Sequence, residues 1–75
     1  MIEQNIRRHL DAHGIKHTFV ARSIGMNYKN FSAMMNGRRK VTGEELAQIS
    51  RVLHQPIDIF IEGVKDDADG TENAR

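Results

Sequence analysis

Apolar residues recur at four-residue spacing at the start of the chain, Ile2, Ile6 and Leu10, with Arg7, Arg8 and Asp11 between them. Residues four apart share one face of an α-helix, so this segment predicts an amphipathic helix of about three turns. His13 and Gly14 close it. Glycine readily takes the left-handed conformation that follows many helices, and Ile15 can fold back onto the last turn.

A second helix is predicted from His17 to about Ile24, with Val20 and Ile24 as its inward stripe. Ala21 lies beside them, small enough to let another helix cross closely. Gly25 ends this helix at a sharp turn, with Met26 filling the corner. Asn27 is a good N-cap, its side-chain oxygen able to accept from an unpaired N–H of the following first turn. In the third helix, about residues 28–35, Phe31 and Met34 fall on one face and Tyr28, Lys29, Ser32, Ala33 and Asn36 on the other. Only Phe31 and Met34 read as full core, with Met35 at the core edge. Asn36 and Gly37 stop the helix and leave Arg38, Arg39 and Lys40 as an exposed basic loop.

Thr42 and Glu45 have capping-box spacing: the hydroxyl caps forward while the carboxylate reaches back to the threonine N–H. Leu46, Ile49, Val52 and Leu53 then form an apolar stripe over about three turns of a fourth helix. It must stop before Pro56, because the residue preceding a proline is pushed out of the helical region. Residues 57–61, IDIFI, alternate as a strand would, but a lone edge strand with no partner is unstable, so a short fifth helix is predicted. Residues 62–75 are acidic, glycine-containing and poor in apolar residues, which predicts a disordered tail. The expectation is an all-α, compact five-helix domain over residues 1–61, with a helix-turn-helix at its second and third helices, followed by the acidic tail.

A chain of 75 residues makes one small domain with a marginal core and no enzyme-sized cleft, so association between copies would help it. Having no cysteine, it can hold neither a disulfide nor a thiolate metal site. No apolar run approaches the roughly 20 residues that cross a bilayer, and the N-terminus lacks a secretion signal. A cytoplasmic, nucleoid-associated protein is expected, with no membrane partner and no small-molecule substrate.

The net charge of +1 conceals a marked asymmetry. Between Arg7 and Lys40 stand eight basic residues (Arg7, Arg8, Lys16, Arg22, Lys29, Arg38, Arg39, Lys40) against one acid, Asp11, giving +7. Residues 62–75 carry five acids against Lys65 and Arg75, giving −3. Charge concentrated on one part of a small domain attracts polyanions even when the total is near neutral.

With these positions set out, the chain resembles the Cro and phage-repressor type of helix-turn-helix domain over roughly residues 2–61. The matching positions are Ala21, Gly25, the apolar Val20, Ile24, Met26, Phe31 and Met34, the Asn36-Gly37 close of the third helix, and the PIDIF segment. The resemblance implies a lambda-repressor-like fold that binds operator DNA, usually as a dimer, and regulates transcription. It departs from the family at two places. His17 stands where members commonly carry a phosphate-contacting glutamine, which makes that contact pH-sensitive. Phe19 stands where a polar residue is usual.

Duplex DNA is read by a helix in the major groove, where each base pair shows a distinct set of donors, acceptors and methyls. Asn27, Tyr28, Lys29, Ser32 and Ala33 are the candidate base contacts, Lys29 for guanine O6 and N7 and Ala33 for a thymine methyl. His17, Asn36, Arg38, Arg39 and Lys40 are the candidate phosphate contacts on either side of that helix. Ile57, Ile59 and Ile61 are too many apolar residues for one short helix to bury, and they are the candidate dimer interface. His9, His13 and His17 would align as metal ligands on one continuous helix, but Gly14 interrupts it, so no metal or cofactor is expected. No catalytic grouping stands at recognisable spacing, and Glu44-Glu45 belong to a helix first turn. The sequence therefore reads as a non-enzymatic transcriptional regulator of phage or bacterial origin, a repressor that binds a near-palindromic operator as a homodimer. The alternative is a protein-interaction module of the same fold, an antitoxin or antirepressor partner, docking through Phe19, Met35 and the isoleucines.

Overall fold

A computed structural model describes residues 1–61, so the tail expected over residues 62–75 lies outside the described residues. Five helices follow one another: α1 (Ile2–Ala12), α2 (His17–Ser23), α3 (Tyr28–Met35), α4 (Gly43–Leu53) and α5 (Asp58–Ile61). Among the described residues there is no strand, and the IDIFI segment is helical from Asp58. α1 packs against α3 and α5, and α2 against α3 and α4.

One backbone device ends the first four helices. Past α2, Gly25 sits at φ 72°, its N–H donates to the Arg22 carbonyl at 3.2 Å, and the Met26 N–H donates to the Ala21 carbonyl at 2.9 Å. That pair of bonds is the Schellman motif, which satisfies helix-end carbonyls and turns the chain through a left-handed residue. The equivalent bonds close α1 at Gly14–Ile15, α3 at Gly37–Arg38 and α4 at His54–Gln55. At the last of these the left-handed residue is His54, at φ 57°, the one described non-glycine with positive φ. α4 thus ends at its own left-handed turn, before Pro56 can interrupt it.

The starts of α3 and α4 are specified as locally as their ends. The Asn27 side chain accepts from the Asn30 N–H at 2.8 Å. At α4 both halves of the capping box form, Glu45 N–H to Thr42 Oγ1 at 3.1 Å and Thr42 N–H to Glu45 Oε1 at 3.0 Å. α1 and α2 have no side-chain cap. The N-terminal stretch is instead tied across the fold by Glu3, whose Oε2 accepts the Val41 N–H at 2.7 Å. Burial opposes ionisation of Glu3, but that backbone donor, its own N–H and the N-terminal ammonium outweigh burial and hold the carboxyl below its usual range.

The core draws on every helix: Ile6 and Leu10, Val20 and Ala21, Phe31, Met34 and Met35, Leu46 and Ile49, and Phe60. Two expectations change here. Met35 is 3% exposed and belongs to the core rather than its edge, because α1 and α3 pack together over the end of α3. It is therefore unavailable to the protein-docking surface for which it was a candidate. Ile24, expected in the inward stripe of α2, lies just past the helix and is half-buried against the core.

Candidate nucleic-acid interface

The polar stripe of α3 stands on the outside of this frame. Asn27, Tyr28, Lys29 and Asn30 are exposed, and Ser32 and Ala33 are half-buried one turn further on. Tyr28 is 51% exposed although it is large and partly apolar. The inward residues Phe31, Met34 and Met35 fix which way this stripe faces. Asn27 has its oxygen committed to the helix cap, leaving its amide N–H groups to donate. Tyr28 also borders a surface hollow of about 290 Å³ shared with Thr18, Ala21, Arg22 and Met26, at the junction of α2 and α3.

From Ala12 to Gly43, the stretch holding α2, α3 and the basic loop, the chain has no acidic residue. The cations around the outward stripe are not equivalent, however. Arg38 and Lys40 are exposed, with no ion-pair partner among the described residues. Arg39, between them, turns back to Glu45 and makes a two-pronged pair, Nη1 to Oε1 at 3.1 Å and Nη2 to Oε2 at 2.9 Å. The Arg39 hydrogen bonds are the main reason the Glu45 carboxyl is held below its usual range, and the same contact raises the Arg39 guanidinium. Glu45 Oε1 therefore serves the loop and the α4 cap together. Adjacent identical residues have different situations because only Arg39 lies within reach of that carboxylate.

His17 begins α2, half-buried, with its ring edge-on to Phe31 at 6.0 Å and its Nε2 3.1 Å from Asp11 Oδ1. Asn36 closes α3, exposed, its amide donating to Ser32 Oγ at 3.4 Å. The sequence reading missed Arg7 here. From α1 its guanidinium reaches the end of α3, Nη1 lying 3.4 Å from the Met35 carbonyl and 3.5 Å from Asn36 Oδ1. A cation beside the carbonyl end of a helix is favourably placed in the field of its dipole. The available signal was the four-residue spacing of Arg7 and Asp11, whose side chains lie 3.6 Å apart.

In and just before α5, Ile57, Ile59 and Ile61 are 37%, 36% and 38% exposed, while Phe60 between them is fully buried. A hollow of about 300 Å³ is lined by Ile59 and Phe60 and walled by α1 residues including Arg8, His9 and His13. The His9 and His13 rings lie 4.3 Å apart, tilted by 40°, and His9 also meets Phe60 edge-on at 5.5 Å. Burial first, and the neighbouring His13 second, lower the His9 pKa. His17 is drawn away toward Asp11, and among the described residues no three metal-binding side chains cluster. Nor is any described helix long and apolar enough to cross a membrane.

Comparison with known proteins adds one finding. No curated protein and no solved structure matches the chain. A family model does match, that of the Cro/C1-type HTH DNA-binding domain, over residues 5–61. That span takes in all of α2 to α5 and most of α1, including the outward stripe, the glycine turns and the basic loop. The five-helix frame, the sharp turn at Gly25 and the family match agree, and the chain belongs to the Cro/C1-type helix-turn-helix DNA-binding domain family.

Proposed function

We propose that this domain is a sequence-specific transcriptional regulator, a repressor, that lays α3 in the major groove of a near-palindromic operator and binds it as a homodimer. The observation that carries this reading is the exposed polar stripe of α3 in a stretch free of acidic residues from Ala12 to Gly43. Tyr28, Lys29, Ser32 and Ala33, with the amide of Asn27, read base edges. His17, Asn36, Arg38 and Lys40 anchor the phosphates on the two flanks, with Arg39 a lesser contributor because Glu45 already neutralises it. Ile57, Ile59 and Ile61 meet their copies across a two-fold axis and set the half-sites about one helical turn apart.

Selection of bound duplexes from a random pool tests this directly. Enriched sequences should contain two inverted half-sites with centres about 34–36 Å apart. Enrichment of single half-sites would remove the dimer from the reading. Absence of any enrichment, with no salt-sensitive binding at low ionic strength, would favour a protein-docking module on the same fold.

A further inference from the structure

We infer that Arg7 and Asp11, on the exposed side of α1, are positioning residues that orient His17 and Asn36 at the two ends of the helix-turn-helix. This rests on the reading that His17 and Asn36 anchor opposite flanks of the groove. Asp11 and Arg7 lie one turn apart on α1 and are held together, Oδ2 to Nε, at 3.6 Å. Each reaches a different end of the motif. Asp11 Oδ1 meets His17 Nε2 at the start of α2, at 3.1 Å. Arg7 Nη1 meets Asn36 Oδ1 and the Met35 carbonyl at the end of α3, at 3.5 and 3.4 Å. Asn36 continues the chain to Ser32 at 3.4 Å, within the base-reading stripe. A continuous polar path thus runs from His17 through α1 to the outward face of α3.

The fold does not depend on this path. Arg7 and Asp11 have side chains that are 50% and 58% exposed, and ion pairs at such exposure contribute little to folding stability. Their effect is on orientation. His17 and Asn36 each have rotamers that point elsewhere, and fixing both before DNA arrives removes an ordering cost from binding. Asp11 has an opposite effect as well: as the one acid between Arg7 and Lys40 it weakens the general attraction for phosphate. An acid placed there lowers non-specific binding while holding the anchors that serve a specific site. The proposed consequence is a higher ratio of operator binding to non-specific binding.

The test measures binding of the full chain to its selected duplex and to a scrambled duplex, across a salt series, beside the thermal midpoint. Asp11→Asn should leave the midpoint almost unchanged, maintain or strengthen scrambled-duplex binding, and weaken operator binding, lowering the ratio by about three- to fivefold. Arg7→Lys keeps the charge but not the forked reach, so scrambled-duplex binding should stay native while the ratio falls. A double-mutant cycle of Asp11→Asn with Asn36→Ala provides the second measurement. If the path is continuous, the pair together loses less operator affinity than the product of the single losses. An unchanged ratio in both single variants, or strict additivity in the cycle, would overturn the brace while leaving the DNA-binding reading intact. No binding of the native chain to any duplex would overturn that reading, and the brace with it.

Discussion

α3 and α5 are both short helices that bury one phenylalanine completely, Phe31 and Phe60, and differ in what they leave outside. α3 shows solvent a polar stripe with a tyrosine, a lysine and amides, capped by Asn27 and closed by a glycine turn. α5, of four residues, shows Ile59 and Ile61, and Ile57 just before it is exposed as well. The buried phenylalanine explains in each case why the helix sits where it does, and the exposed side indicates what approaches it. A polar, cationic stripe can exchange water for phosphate and base edges, whereas an apolar one gains only by covering itself with other apolar surface. The proposed function therefore assigns nucleic-acid contact and self-association to different helices.

The strongest way to break this comparison is to remove the buried anchors. Phe31→Ala should cost about 3–5 kcal/mol in denaturant unfolding, with DNA binding lost alongside the fold. Phe60→Ala should fall at the low end of that range, since a four-residue helix at the domain edge collapses more readily into the space left. A cost for Phe60→Ala under about 1 kcal/mol would show that α5 is not an integral part of the core.

The outward faces come next, and here the two helices should separate by the kind of effect. Lys29→Ala should cost about 1–3 kcal/mol of operator binding and relax the preference at one base position. Arg38→Ala should weaken binding to all duplexes about equally and reduce the logarithmic salt slope by about 1. If Lys29→Ala also acted uniformly on every duplex, its assignment to base readout would be wrong. Ile59→Asp should abolish self-association in sedimentation while leaving half-site preference unchanged. Loss of half-site preference in that variant would mean that the two surfaces are not separate.

Helix ends give a smaller effect of opposite sign. His54 holds a left-handed φ of 57°, which glycine occupies without strain at the other three Schellman turns. His54→Gly should therefore stabilise the domain by about 0.5–1 kcal/mol, read as a raised thermal midpoint. No gain would mean that the His54 side chain makes up for its backbone strain.

Acidification separates the two regions by pH. The folded-state pKa of His9 is depressed, so the unfolded chain takes up a proton there more readily. The contribution of neutral His9 is present above its ordinary value of 6.5 and is lost as pH falls below it toward the folded value. Glu3 and Glu45 are also depressed, from 4.5, so their contribution persists to lower pH and is lost only as pH falls through their folded values. Amide exchange followed down the pH scale should show the α1–α5 contact, where His9 meets Phe60, loosening before the Arg39–Glu45 corner. The reverse order would contradict the assigned shifts.

Much of the fold was determined by sequence within a few residues of where it acts. Gly14, Gly25 and Gly37 end helices, Asn27 starts α3, and Thr42 with Glu45 starts α4, because each satisfies backbone groups no more than five positions away. Four-residue apolar spacing fixed the inward faces for the same reason, since the helix repeat alone sets them. Tertiary structure decided what depends on distant chain meeting in space. It buried Met35, turned Arg39 but not Arg38 toward Glu45, and carried Arg7 from α1 to the last carbonyl of α3. None of these follows from spacing along the chain, because packing chooses among side chains that share a helix face, and ion pairs form between whichever groups the packed helices bring within reach.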